Sequence, residues 1–256
     1  MRRALALLLL ALPLAACGGT ATSDVTPLDP VAQAADKTTD VAGAHFRMSA
    51  RIAGQGETLA FSGPGEIADH GKQMHMQLSL PDSMLGAGGT GNTKLDVVSA
   101  SNTYYLHGGP FEQIAPGKWV KVKSTDPTFQ LGQNDPSQML QYLRATSNVD
   151  EVGKDTVRGV DTTHYAARLQ LDRVADKVSP DAARALKQAT KTLGTKEIPL
   201  DVWVDGDGLV RRVKMDWHPK GGSFVMALDL FDFGDVHVDV PADSETVDLS
   251  NMLGGG

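Results

Sequence analysis

Residues 198–217 decide the fold: Ile198-Pro199-Leu200-Asp201-Val202-Trp203-Val204-Asp205-Gly206-Asp207-Gly208-Leu209-Val210-Arg211-Arg212-Val213-Lys214-Met215-Asp216-Trp217. Ile198, Leu200, Val202 and Val204 recur at every second position, the period of a half-buried strand. Asp205-Gly206-Asp207-Gly208 has the chemistry of a hairpin turn, and Val213, Met215 and Trp217 carry the apolar face back. Trp217 thus shares the apolar side. Trp203 has the opposite parity and is expected on the outer side or under a loop.

The same period extends in both directions. Phe46, Met48, Ala50 and Ile52 alternate with polar neighbours, as do Met74, Met76, Leu78 and Leu80. Residues 59–67 read as a weaker strand interrupted by Gly63-Pro64-Gly65. Strands are further expected at 94–100, 103–107, 118–123, 224–233 and 236–240, and at 149–157 and 160–171 about Arg158-Gly159. Three helices are expected. One covers 31–41 behind Asp29-Pro30, one opens at Asp135-Pro136, and one spans 181–193, with Ser179-Pro180 before it and Gly194 in the terminating position. About eleven strands without βαβ alternation predict an α+β domain, a large curved antiparallel sheet with helices on one face. A single domain is expected over 29–253, with 254–256 a disordered glycine tail.

The chain has 256 residues, 41% hydrophobic and 21% charged, which is a globular composition. Its net charge of −7 argues against nucleic-acid binding. The single cysteine excludes an intramolecular disulfide framework and a multi-cysteine zinc site.

That cysteine lies in an address segment. Met1-Arg2-Arg3 precedes an apolar run, residues 4–12, about half the ~20 residues needed to span a bilayer. Leu14-Ala15-Ala16-Cys17 resembles the bacterial lipobox. The resemblance implies cleavage after a 1–16 signal peptide and acylation of Cys17. Residues 17–28 then form a flexible tether reaching roughly 20 Å. The expected location is the extracytoplasmic face of the cell membrane, held by lipid. Two or three acyl chains, at ~0.8 kcal/mol per buried methylene, anchor stably.

Eleven strands at ~4.8 Å spacing would make a sheet roughly 50 Å wide. Three helices, each ~10 Å across, cover about 30 Å of it. Aromatics, the usual bulky fillers, are 5% of the chain. Either the sheet curls until the helices fill it or an apolar hollow remains, walled by adaptable methionines. The expected wall is Phe46, Met48, Met74, Met76, Val202, Val204, Val213, Met215, Trp217, Met226 and Leu228. The loop 81–92, with four glycines, is the expected gate.

Val157-Arg158-Gly159-Val160-Asp161-Thr162-Thr163-His164-Tyr165 and the 200–212 hairpin resemble motifs of the actinobacterial LppX/LprAFG lipoproteins. The resemblance implies a LolA-like half-barrel around helices, and binding or carrying of acylated lipids or lipoglycans. It also allows an envelope transporter as partner. It brings no catalytic residues and no cofactor, and the expected state is a monomer.

Other constellations are weak. Met74-His75-Met76 suits copper by ligand type, but on a strand His75 points away from both methionines. Asp205-x-Asp207-Gly208 starts like a calcium loop and then fails at Leu209 and Arg211. The seven histidines are scattered singly and read as exposed strand or turn residues. Arg212 and Lys214 share a face that could meet a lipid phosphate or simply be solvated, with Arg211 pointing the other way. The nucleophile elbow and zinc-helix motifs are absent, so a non-enzymatic role is expected. The rival reading is a structural or protein-binding envelope lipoprotein with a filled core.

Overall fold

The hairpin at 198–217 forms as its pattern requires: β9 (Glu197–Asp205) and β10 (Val210–Trp217) pair antiparallel, Val202 opposite Val213 and Leu200 opposite Met215. The computed structural model describes residues 29–54, 56–85, 91–123, 136–176 and 180–249. The lipobox, the tether, the centre of the 81–92 loop and the glycine tail lie outside the described residues.

Ten further strands complete one sheet: β1 (Ala44–Gly54), β2 (Glu57–Ala68), β3 (Gln73–Pro81), β4 (Asn92–Ala100), β5 (Thr103–Gly108), β6 (Trp119–Lys123), β7 (Thr146–Val157), β8 (Val160–Gln170), β11 (Gly222–Phe231) and β12 (Thr246–Asp248). Their order is β12-β6-β5-β4-β3-β2-β1-β11-β10-β9-β8-β7. Strands β1–β6 make one antiparallel meander and β7–β11 a second. The pairing of β1 with β11, Phe46 opposite Leu230 and Met48 opposite Leu228, joins the two. β12 alone runs parallel, against β6.

The described helices are α1 (Pro30–Thr39), α2 (Phe111–Ile114), α3 (Pro136–Tyr142), α4 (Leu171–Ala175) and α5 (Pro180–Leu193). α1 starts where Asp29 Oδ1 accepts the N–H groups of Val31 and Ala32, a side-chain cap for otherwise unpaired donors. It buries Val31, Ala34, Ala35 and Thr38. α5 ends at Gly194, whose φ of 70° is the left-handed value expected there.

The α+β class and the curved, mostly antiparallel sheet are as the sequence predicts, with three differences. Among the described residues there are twelve strands, and α2 and α4 add two short helices. Gly63-Pro64-Gly65 does not interrupt β2 but lies inside it. A Cβ at Gly63 would sit 1.7 Å from the Gln77 carbonyl oxygen, and one at Gly65 would sit 2.3 Å from the Phe46 ring. The missing side chains leave room for the β3 backbone beside Gly63 and for the Phe46 ring against Gly65. Finally, residues 236–240 do not form a strand. Their alternation instead seats Val238 against Ala68 and Val98, a small apolar patch on the outer face that requires cover.

Candidate functional site

The strand registers place all eleven expected wall residues on one face. Phe46 and Met48 face Leu230 and Leu228, Leu228 faces Val213, and Met226 faces Met215. On the other meander Met74 and Met76 share their face with Val97 and Leu106. Phe46, Met48, Met74, Met76, Val202, Val204, Val213, Met226 and Leu228 are buried, whereas Met215 and Trp217 are half-buried. α1, Leu140 of α3, and Leu143 and Ala145 beyond it close the same core.

Hollows among the described residues border this core, two of them as follows. One, of about 20 Å³, lies between Thr38, Ala44, Ile67, Leu140 and Leu230. The other, of about 190 Å³, lies between Val157, Arg158, Val160, Arg211 and Phe231. Neither is lined by any of the eleven, and both are below the ~300 Å³ at which small-molecule pockets begin. Eight of the eleven, Phe46, Met48, Met74, Met76, Val202, Val204, Val213 and Leu228, are buried in one apolar cluster with Val31, Ala34 and Ala35 of α1, and Met215 packs against it.

The outer face is built differently. Trp203, 7% exposed, stacks on His164 with ring centres 4.3 Å apart and planes 2° from parallel. Its indole N–H donates to Asp155 at 2.9 Å. That bond holds the Asp155 carboxyl below its ordinary range, helped by the Thr156 N–H. His164 Nε2 meets Asp201 at 2.7 Å. Arg212 grips Asp229 through two N–H groups, and that bond raises its already high pKa. Lys214 and His218 both bond Asp216 and lower its pKa, the lysine more. Arg212 and Lys214, which share a face as predicted, are thus each engaged by a carboxylate. Arg211 pairs with the buried Asp205 across a register shift in the hairpin. The same Asp205 accepts the N–H groups of Asp207 and Leu209, a turn network rather than a calcium loop.

The histidines are not all isolated. His75 points away from Met74 and Met76, as its parity dictates, and lies between two carboxylates: Nδ1 is 3.0 Å from Glu66 and Nε2 3.2 Å from Asp96. His45 approaches Glu66 at 3.7 Å from the next strand. Separation in sequence concealed this group. Only the registers of β1, β2, β3 and β4 assemble it, and no periodicity in one strand signals them. Among the described residues no three potential ligands converge on a metal position, and no helix is long and apolar enough to cross a membrane.

No protein-family model matches the chain. An uncharacterized 31.2 kDa protein of Streptomyces griseus, from the rplA-rplJ intergenic region, is 27% identical over 195 residues, 70% of this chain. The match spans 63% of that relative's length. LprF from Mycobacterium bovis superposes with a TM-score of 0.48 at 12% identity, covering 83% of this chain and 94% of its own. The lipoprotein LppX of Mycobacterium tuberculosis superposes with a TM-score of 0.50 at 16% identity, over 85% of this chain and all of its own. The open twelve-stranded sheet with its helices is therefore the fold of LppX.

Proposed function

We propose that the chain is an extracytoplasmic lipoprotein of the LppX/LprAFG kind, anchored through acylated Cys17, whose sheet and helices receive an acylated lipid without chemical turnover. The observation that carries this reading is the continuous apolar face of a curved sheet. It runs through Met48, Met74, Met76, Met215 and Met226 to a half-buried end at Trp217. Thioether side chains repack at low cost around different apolar shapes. Apolar burial, at about 25 cal/mol per Å², retains an acyl chain without a dedicated polar contact. The described packing is then the empty state, and loading requires the helical layer to move outward. The LppX fold supports the reading, as does the lipobox-like Leu14-Ala15-Ala16-Cys17.

The burial of eight wall residues in one cluster with α1 favours a second reading, a structural or protein-binding lipoprotein with a filled core. One experiment separates them. The chain is purified from its own membranes and its organic extract analysed by mass spectrometry. A stoichiometric acylated lipid beyond the anchor supports the carrier. An extract holding none, from a chain that also takes up no fluorescent fatty-acyl probe, supports the filled core.

A further inference from the structure

Register aligns Leu59, Ile52, Phe224 and Trp217 in one row across β2, β1, β11 and β10. By parity the row belongs to the core face, yet none of the four is buried, and Ile52 is 40% exposed. Arg51, Lys196 and Lys220 stand exposed at the same end. Among the described residues no carboxylate forms an ion pair with these three cations; exposed Arg173 and Lys191 add to them, and Glu57, Asp172 and Asp176 are the exposed opposing charges, so this end stays net positive. The other end of the sheet carries the reverse balance. There Asp69, Asp161, Asp207, Asp232 and Asp235 are exposed, against Lys37, Lys72 and Arg158.

The chain also enters at the apolar, cationic end. Asp29, where the described residues begin, accepts the hydroxyl of Thr146 at 3.0 Å. Thr146 pairs with Leu169, and Leu169 with Ile198, at the end of the sheet where β10 finishes. From there α1 runs the other way, placing Thr38 beside Val210 at the acidic end. Only eleven residues separate Asp29 from Cys17.

We propose that this end of the sheet is a docking face for an anionic phospholipid bilayer, an inference that rests on the membrane location proposed above and specifies its orientation. Trp217 and Phe224 enter the interfacial layer, where amphipathic aromatic rings are favoured. Arg51, Lys196 and Lys220 meet lipid phosphates, while the acidic end faces away from the like-charged surface. The short tether keeps the local lipid concentration high, so a weak patch suffices to orient the domain. In this posture the edge of the apolar sheet face opens directly onto the bilayer.

The test uses the chain from residue 17 with Cys17→Ser, which retains every described element but no acyl group. It is mixed with vesicles of phosphatidylcholine alone or with added phosphatidylglycerol. The expected result is binding that requires phosphatidylglycerol and weakens with salt, with Trp217 fluorescence quenched by brominated acyl chains. Lys196→Ala and Lys220→Ala each weaken binding about fivefold. Ile52→Ser combined with Phe224→Ser removes the quenching, and Asp161→Asn at the far end does neither. Circular dichroism confirms that each variant is folded. Absence of phosphatidylglycerol-dependent binding, or binding indifferent to both sets of substitutions, overturns the docking face. Acylation is read separately, as added mass on the native chain. An acylated chain whose Cys17→Ser form ignores vesicles loses the docking face and keeps the anchor. A chain without acyl mass that still docks loses the anchor alone.

Discussion

The Thr38 hydroxyl accepts the backbone N–H of Val210 at 2.8 Å and donates to the Ala34 carbonyl at 2.6 Å. One buried side chain thereby satisfies the first N–H of β10 and fixes the end of α1 against the sheet, across 172 residues of sequence. A single oxygen thus ties the end of the helix to the start of a strand.

Thr38→Val keeps the shape of that side chain but leaves the Val210 N–H buried without an acceptor. The expected loss is about 1–3 kcal/mol, read as a lower urea midpoint with an unchanged slope. Thr38→Ser retains the oxygen and is expected to lose much less.

Gly63→Ala forces a methyl group onto the Gln77 carbonyl. The expected cost is about 3 kcal/mol, at the upper end for overpacking, because backbone rather than a flexible side chain must give way. Gly206→Ala is the control, since nothing lies within 4 Å of its added carbon. Its expected change is under about 1 kcal/mol. Thermal unfolding of the two variants side by side measures the contrast.

His164 and Trp203 should couple. A double-mutant cycle with His164→Ala and Trp203→Leu is expected to yield about 0.5–1.5 kcal/mol for the stacked pair. A coupling energy near zero would show that the stack is geometric rather than energetic.

Acid should loosen the outer face before it reaches the core. Asp155 and Asp216 titrate below the ordinary carboxylate value in the folded chain. Their stabilisation is therefore complete above the unfolded value, near 4, and is lost as pH falls through their lower folded values. Trp203→Phe removes the largest cause at Asp155, the indole hydrogen bond. It is expected to flatten the acid limb of the stability curve below about pH 4.

Much of the sheet was legible because one physical rule generates it. Alternation assigns Phe46, Met48, Met74, Met76, Val202 and Val213 to one face without knowledge of any neighbour. The same parity sends Trp203 and His75 outward, where both are found. The two motif stretches, 157–165 and 200–212, prove to be adjacent strands, with His164 opposite Trp203. Their resemblance to the lipoprotein motifs thus lies in one cross-strand unit.

What the sequence concealed depends on contacts between distant strands. Glycine and proline at 63–65 normally weaken a strand, and only the closeness of Gln77 makes their lack of side chains useful. Val238 alternates like a strand residue because its apolar partners, Ala68 and Val98, lie on a surface no local pattern reveals. Whether the core is filled depends on volume, which periodicity does not measure.

The seam between the two meanders carries one more consequence. β1 must wait for β11, and His45 meets Phe231 only after every strand from β2 to β10 has been synthesised. Until then the first six strands have an unsatisfied edge, and closure over so long a separation is slow. A nascent chain therefore keeps this edge open, and the two meanders unjoined, until β11 has emerged.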